Sequence, residues 1–218
     1  MLDIGGRDAS HSLITAERFG CRVVSVRSLS SEHLRREAAI AEHGFGHLVE
    51  VVQESIEQIP ADDAAFTFVF SRDMYAHVEN ADVALSECAR VLAPRGVMVL
   101  HQVFATDLFE PIEAEQVFGH TVAVPERFSA DGFEPAAISA GFTIEDLEVM
   151  RSEWYEASQE AGTASNYLLQ VSRLRRAREA LIEEIGETAY RVVYGNALWS
   201  INHMLGKLES RIYTLGRS

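Results

Sequence analysis

The sequence predicts an α/β fold built on a doubly wound, mostly parallel sheet, with a helical insertion before the last strand. Short apolar runs rich in β-branched residues alternate with helix-like patterns through the first two thirds of the chain. This alternation is typical of βαβ units, whose strands lie parallel. The last third instead shows helical spacing over a long stretch before one final apolar run.

Seven strands are predicted in chain order. Their ranges are residues 1–4, 21–26, 48–52, 65–71, 97–103, 142–150 and 211–215. Helices are predicted over residues 10–19, 31–44, 82–92 and 133–140, and the stretch 153–205 is mostly helical. No low-complexity linker divides the chain, so we expect a single domain over residues 1–218.

Composition narrows the class of protein. The formal net charge is −14, and a surface this acidic repels phosphate groups, so we expect neither a nucleic acid nor a membrane as partner. The two cysteines, Cys21 and Cys88, lie in apolar stretches and indicate a reducing, cytoplasmic setting. The histidines are scattered without ligand spacing, so no metal site is expected. No apolar run is long enough to span a bilayer.

Four segments occur in the order and spacing of a known family. They are Leu2-Asp3-Ile4-Gly5-Gly6, residues 55–60, residues 66–78 and residues 84–100, the last with a Leu-x-Pro-x-Gly turn. Together they resemble the class I S-adenosylmethionine (SAM) dependent methyltransferases over residues 1–104. The resemblance implies a Rossmann-like sheet, SAM as cofactor and methylation of a small molecule in specialised metabolism. It also implies a cofactor-binding half (1–104) and a substrate-side half (105–218) with a helical cover (153–205).

The resemblance assigns contacts to the cofactor. It places Asp3 near the amino group of SAM, and Gly5 and Gly6 in the turn where the backbone approaches the cofactor. It places Ser55 and Ile56 beside the adenine. Two of these residues could instead have a structural role. The Asp3 carboxylate would also stabilise the N-terminus of the following helix, and Ser55 could be an ordinary loop residue.

The first motif departs from the family pattern. Arg7 and Ala9 stand where the second and third glycines are expected, and Arg27 stands where an acidic residue would accept the ribose hydroxyls. One interpretation is a divergent SAM binder in which Arg7 and Arg27 border the cofactor. A second is a fold that has lost SAM and catalyses a cyclisation, elimination or isomerisation, with both arginines holding an anion. A third is a non-catalytic partner subunit.

Candidate catalytic residues follow the fourth and fifth strands. Ser71, Asp73 and His77 lie at the end of the fourth strand and in the loop after it, and His101 lies on the fifth. Because ligands bind at the carboxyl ends of parallel strands, this group should border the active site. His77 and His101 are candidate bases, and Asp73 would orient His77 or cap the next helix. Structural roles for both histidines are an open alternative.

The helical stretch predicts a cover or a contact surface. Apolar residues recur there at helical spacing, at Leu168, Val171, Leu174, Leu181, Ile182 and Ile185. Aromatic and related residues are also frequent, at Trp154, Tyr155, Tyr190, Tyr194, Trp199, His203 and Met204. They would suit a small, partly apolar substrate or form an ordinary core. The chain starts at the first strand, so the family's N-terminal lid helix is expected to be absent, and we expect a homodimer.

Overall fold

The structure is a computed structural model. It describes residues 1–5, 9–26, 40, 42–118, 125–160, 162 and 165–217. Three predicted cofactor contacts, Gly6, Arg7 and Arg27, lie outside the described residues, as does most of the helix predicted over 31–44.

A seven-stranded sheet is the centre of the fold. Its strands are β1 (Leu2–Ile4), β2 (Val23–Val26), β3 (Val49–Val52), β4 (Phe66–Arg72), β5 (Leu92–Ala105), β6 (Phe142–Met150) and β7 (Leu208–Arg217). The strand order is β3-β2-β1-β4-β5-β7-β6. The pairs β1–β2, β1–β4, β2–β3 and β4–β5 are parallel. The predicted doubly wound, mostly parallel sheet of seven strands is confirmed.

The last strand, β7, is antiparallel to β5. At the start of β5, the Leu92 carbonyl accepts a hydrogen bond from the guanidinium of Arg217, near the end of β7. Just past the end of β5, the Thr106 N–H donates to the Lys207 carbonyl, which precedes β7, at 3.0 Å. Opposite ends of the two strands therefore meet, which is the antiparallel arrangement.

Helices connect the strands. They are α1 (Ser10–Phe19), α2 (Ala81–Val91), α3 (Pro111–Phe118), α4 (Ala130–Ser139), α5 (Glu153–Glu160), α6 (Ser165–Arg176), α7 (Arg178–Ile185) and α8 (Glu187–Met204). The chain divides into two compact units. The first comprises Met1–Gln102, Asp131–Glu148 and Ile212–Ser218, and the second comprises Val103–Ala130 and Val149–Arg211.

The core of the first unit is formed by apolar side chains of β1, β4, β5 and α2. Its fully buried members include Leu2, Ile4, Val69, Leu85, Met98 and Leu100. Cys88 on α2 is buried among them, and burial raises the pKa of its thiol to about 12. Cys88 therefore stays protonated at neutral pH and behaves as a small apolar residue.

The largest differences from the sequence prediction concern strand β5, helix α3 and the periodic stretch 168–185. Strand β5 begins at Leu92 rather than at residue 97, because the turn 94–96 is a bulge within the strand, with Phe66 opposite Leu92 and Phe68 opposite Val97. Helix α3 was not predicted. Its signal is a proline in the first turn and a Glu113 carboxylate that accepts from the Glu110 N–H at 3.0 Å.

The periodic stretch 168–185 is divided between two helices rather than forming one. Helix α6 ends at Arg176 and α7 begins at Arg178. Val171, Leu174, Leu181 and Ile182 are partly buried, whereas the side chain of Leu168 is 53% exposed. The expected amphipathic face is therefore real but incomplete, and part of its apolar surface faces solvent.

Candidate active site

A buried carboxylate marks the carboxyl end of β1. Asp3 is 1% exposed and pairs in register with Ser25 on β2 and Phe70 on β4. Its Oδ2 accepts a hydrogen bond from the hydroxyl of Ser12 on α1. A buried carboxylate is costly unless it is hydrogen-bonded, so the Ser12 contact both stabilises Asp3 and fixes its orientation.

The turn after β1 requires glycine at position 5. Gly5 has φ +88°, a backbone conformation that residues other than glycine rarely adopt. A Cβ added at this position would lie 2.5 Å from the Arg72 carbonyl oxygen. The turn therefore passes directly against the end of β4. Ala9, where the family has glycine, also has a positive φ of 60° and precedes α1. The backbone at Ala9 thus keeps a glycine-like conformation although the glycine is gone.

Two buried serine hydroxyls flank β1. Ser71 lies opposite Ile4, and Ser25 lies opposite Asp3. Both side chains are fully buried, and among the described residues neither hydroxyl has a hydrogen-bond partner. Ser25 is not among the predicted site residues. Its only sequence signal is a small polar residue inside an apolar strand, and the β1–β2 register is needed to place it beside Asp3.

The structure brings Asp73 and His101 together. Arg72 pairs in register with His101, and the Asp73 N–H donates to the His101 carbonyl at 2.8 Å. Asp73 Oδ1 lies 3.9 Å from His101 Nδ1. Burial lowers the pKa of His101 below its usual 6.5, the Asp73 carboxylate opposes this, and the Arg72 guanidinium reinforces it. His101 is therefore a neutral imidazole near neutral pH.

His77 has a different setting from His101. It ends a short 3₁₀ turn (Tyr75–His77), its backbone N–H donates to the Met74 carbonyl at 2.9 Å, and its side chain is exposed. The Asp73 carboxylate, which was expected to orient His77 or to cap the next helix, lies near His101. Its role toward His77 stays a prediction.

The loop carrying Ser55 and Ile56 is held by α2. Ser55 is exposed, and its Oγ accepts from the Glu57 N–H at 3.1 Å, whereas Ile56 is buried. Further along, the Ile59 N–H donates to Glu87 Oε2 at 2.9 Å. The Arg90 guanidinium donates to the carbonyls of Ile59 and Ala61, at 3.0 and 2.8 Å, and to the Glu87 carboxylate.

This contact between Arg90 and Glu87 lowers the pKa of the Glu87 carboxyl. Glu87 is therefore ionised at neutral pH and remains an acceptor for the Ile59 N–H. The loop before β4 is consequently fixed by charged hydrogen bonds in addition to the burial of Ile56 and Ile59.

His11 lies next to the end of β4 and is not among the predicted site residues. Its ring stacks on Phe70 with centroids 6.1 Å apart, and its Nε2 lies 3.3 Å from Nη1 of Arg72. A guanidinium only donates, so Nε2 of His11 is the acceptor. His11 belongs to no motif, and only the packing of α1 on the sheet brings it to this place.

Aromatic side chains cluster inside the second unit. Phe118 and Phe128 stack at 3.7 Å, and Trp199 packs edge-on against Phe118 at 5.4 Å. His203 lies 5.9 Å from Trp199, and 5.6 Å from Tyr155. Trp199 and His203 are therefore part of a packed aromatic core in this unit.

The remaining residues of the predicted cover, three aromatic residues and Met204, differ in how far their side chains are exposed. Tyr190 is buried, stacks on Tyr194 at 5.9 Å and donates from its hydroxyl to the Leu174 carbonyl at 3.3 Å. Trp154 is largely exposed, and Met204 is partly buried. Tyr190 therefore has an evident structural role, whereas Trp154 does not contribute to the core.

The fold and the ordered motifs agree with a family comparison. The sequence pattern of the methyltransferase domain family matches residues 2–100. A sarcosine/dimethylglycine N-methyltransferase of Halorhodospira halochloris is 30% identical over 107 residues, which are 49% of this chain and 38% of that protein. The likeness to methyltransferases is carried by residues 2–100 of the chain. The chain covers well under two thirds of the length of the Halorhodospira relative.

Solved structures of other proteins share this fold. The [4+2]-cyclase SpnF has a TM-score of 0.75 at 18% identity, covering 99% of this chain and 73% of SpnF. Phosphoethanolamine N-methyltransferase 2 of Haemonchus contortus, in complex with SAM, has a TM-score of 0.71 at 17% identity, covering 100% of this chain and 48% of that protein. At this identity the likeness concerns the fold, and the reaction must be argued from the site.

Within the described part of the chain, no three residues of the His, Cys, Asp and Glu types come close enough together to hold a metal ion. Within the same part, none of the helices has both the length and the apolar character needed to cross a membrane.

Proposed function

We propose that this chain is a SAM-dependent methyltransferase that binds SAM at the carboxyl ends of β1, β2 and β4 and transfers its methyl group to a small-molecule amine. The observation that carries the proposal is the buried Asp3 carboxylate, held by Ser12 beside the obligatory glycine at position 5. The proposed cofactor contacts are Asp3, Gly5, Gly6, Arg7, Arg27, Ser55, Ile56 and Ser71.

The described residues fit this cofactor. Asp3 offers a buried carboxylate to an ammonium group, and its Oδ2 is held in place by the Ser12 hydroxyl. Gly5 keeps side-chain atoms out of the turn, so a ligand can approach the backbone there. The buried hydroxyls of Ser25 and Ser71 lie near the same strand ends and are available for hydrogen bonding. When bound, SAM supplies an activated methyl group on a sulfonium sulfur.

An amine acceptor is supported by three properties. The Halorhodospira relative is described as an N-methyltransferase of sarcosine and dimethylglycine. The net charge of −14 disfavours substrates with a net negative charge and is compatible with amines, including zwitterionic amino acids. An amine attacks only in its neutral form, and the neutral imidazole of His101 can accept the proton that the amine must lose. His101 is therefore proposed as the base, Asp73 as its neighbouring carboxylate, and His77 as a second proton acceptor.

Isothermal titration and product analysis test this proposal. We expect heat on titration with SAM and with S-adenosylhomocysteine (SAH). We then expect mass spectrometry to find a 14 Da increase on glycine, sarcosine or dimethylglycine, and none on a matched panel of phenols and thiols. Absence of binding for both SAM and SAH would overturn methyl transfer as the function. Binding with methylation only of a phenol or thiol would overturn the amine as acceptor.

The pH profile of kcat/KM should respond with opposite sign to two substitutions near His101. The active form is the neutral imidazole, which predominates above its pKa, so the acid limb should lie below the ordinary histidine value of 6.5. Asp73→Asn removes the charge that raises the pKa of His101 and should move the limb to lower pH. Arg72→Gln removes the charge that lowers this pKa and should move the limb to higher pH.

The control for this profile is the substrate itself. The substrate ammonium group loses its proton at a higher pH than His101 does. The limb of the kcat/KM profile that belongs to the substrate should therefore be the same in all variants. If His101 is purely structural, the acid limb will not move, or it will move in the same direction for both substitutions.

The proposal extends to the cellular location, the metabolic role and the oligomeric state of the protein. We propose a cytoplasmic protein that acts in specialised metabolism, as a homodimer. The cytoplasmic setting is supported by the two free cysteines, Cys21 and Cys88. A specialised role is supported by the departures from the family motif at Arg7 and Arg27.

A further inference from the structure

Arg72 lies at the carboxyl edge of the sheet, between the turn at Gly5 and the proposed base. It ends β4, and its carbonyl oxygen is the atom that a Cβ at Gly5 would approach to 2.5 Å. On the other side it pairs in register with His101 on β5. Residues paired in register on neighbouring parallel strands have their side chains on the same face of a sheet. Arg72 and His101 therefore share a face, and the guanidinium is close enough to lower the pKa of His101.

The group that holds Arg72 in place lies on the same face. Phe70 precedes Arg72 by two residues on β4, so both side chains have the same direction, and the ring of His11 on α1 stacks on Phe70. His11 Nε2 accepts from Arg72 Nη1 at 3.3 Å. An accepting imidazole nitrogen is neutral, so this contact fixes one corner of the guanidinium and leaves its positive charge without a counterion.

Arg72 has no carboxylate partner in the described part of the chain, where none of the ion pairs includes it. Arg90 shows the contrast, because its guanidinium donates to the carboxylates of Glu87 and Asp63, each at 2.8 Å. A guanidinium has five N–H donors and is always charged. Arg72 is partly buried, and its remaining donors suit a carboxylate bound through two parallel hydrogen bonds.

We infer that Arg72 binds the carboxylate of an amino-acid substrate whose amine is the methyl acceptor. The amine and the carboxylate of an α-amino acid are attached to the same carbon atom. The group that binds the carboxylate must therefore lie beside the group that receives the amine proton, and Arg72 and His101 meet this condition. Because the net charge of the chain is −14, a local cation is needed to hold a carboxylate here. The inference rests on the proposed function and adds to it the recognition of the second charged group of the substrate.

Titration of two matched ligands tests this role of Arg72. Sarcosine and its amide, in which a neutral carboxamide replaces the carboxylate, are titrated into the complex of the full chain with SAH. The pH is held well above 6.5, the ordinary histidine value, so that His101 is neutral in every variant. Arg72→Gln keeps a donor for His11 Nε2 but removes the charge. It should weaken sarcosine binding by about ten- to a hundredfold and leave the affinity for the amide within about twofold of wild type.

Arg18→Gln is the matched control. Arg18 is exposed near the end of α1, and removal of its charge should leave both affinities unchanged. If Arg72→Gln instead loses affinity for SAH and keeps the preference for sarcosine, the guanidinium binds the carboxylate of the cofactor and the inference is overturned. Equal weakening of sarcosine and its amide would show a structural role and would overturn it too.

The wild-type titrations separate this inference from the proposed function. If wild type binds SAH but does not prefer sarcosine to its amide, the role of Arg72 is overturned, while methyl transfer from SAM to another amine still stands. If wild type does not bind SAH at all, the proposed function is overturned, and the role of Arg72 with it.

Discussion

Replacing Asp3 with asparagine should weaken SAH binding by about ten- to a hundredfold without unfolding the protein, since hydrogen bonds to charged groups contribute about 1.5–3 kcal/mol. Asparagine has the same shape, and its amide oxygen can still accept from the Ser12 hydroxyl. Only the negative charge is removed, and with it the attraction for the ligand's ammonium group. Isothermal titration of SAH into wild type and variant measures the loss, and urea denaturation checks that the fold persists.

Ser12→Ala is the informative control for Asp3→Asn. It removes the hydrogen bond that orients Asp3 but keeps the carboxylate charge, so we expect a smaller loss of SAH affinity than for the asparagine variant. If Asp3→Asn binds SAH as well as wild type but is less stable in urea, then Asp3 has only a structural role at the start of α1.

The sheet could be predicted from sequence because its signals are local. Apolar runs mark the strands, and the alternation with helices implies parallel pairing. The limits of α1 and β6 agree with the prediction to the residue. The start of β5 could not be predicted, because a turn of the Pro-x-Gly type usually ends an element, and only pairing with β4 shows that the turn 94–96 lies within the strand.

The site could be predicted only where residues follow a strand directly. Asp3 and Ser71 lie at strand ends, as the motif order implies. The neighbour of Asp73 could not be predicted, because the register that puts Arg72 opposite His101 is a contact between strands. The places of His11 and Ser25 could not be predicted for the same reason, since the packing of α1 and the β1–β2 register bring them beside Arg72 and Asp3.

Replacing Gly5 with alanine should lower the free energy of unfolding by about 2–5 kcal/mol. Two costs combine at this position. The φ of +88° is strained for any residue with a Cβ, and the added methyl group would lie 2.5 Å from the Arg72 carbonyl oxygen. This oxygen is backbone in the sheet and cannot rotate away, so β1 or β4 must shift.

Gly20→Ala separates these two costs. Gly20 ends α1 with φ +63°, but an added Cβ there would have no atom within 4 Å, so only backbone strain of about 1 kcal/mol is expected. Urea denaturation measures the loss in free energy of unfolding for each variant, and the difference between the two losses gives the cost of the steric clash at Gly5. Equal losses of unfolding free energy would show that β4 can shift at Arg72 at little cost, and that the turn at Gly5 is not packed closely against it. A larger loss at Gly5, with weaker SAH binding, would link the tight fit between turn and strand to the ligand site, because the same backbone that Arg72 crowds is the one the cofactor approaches.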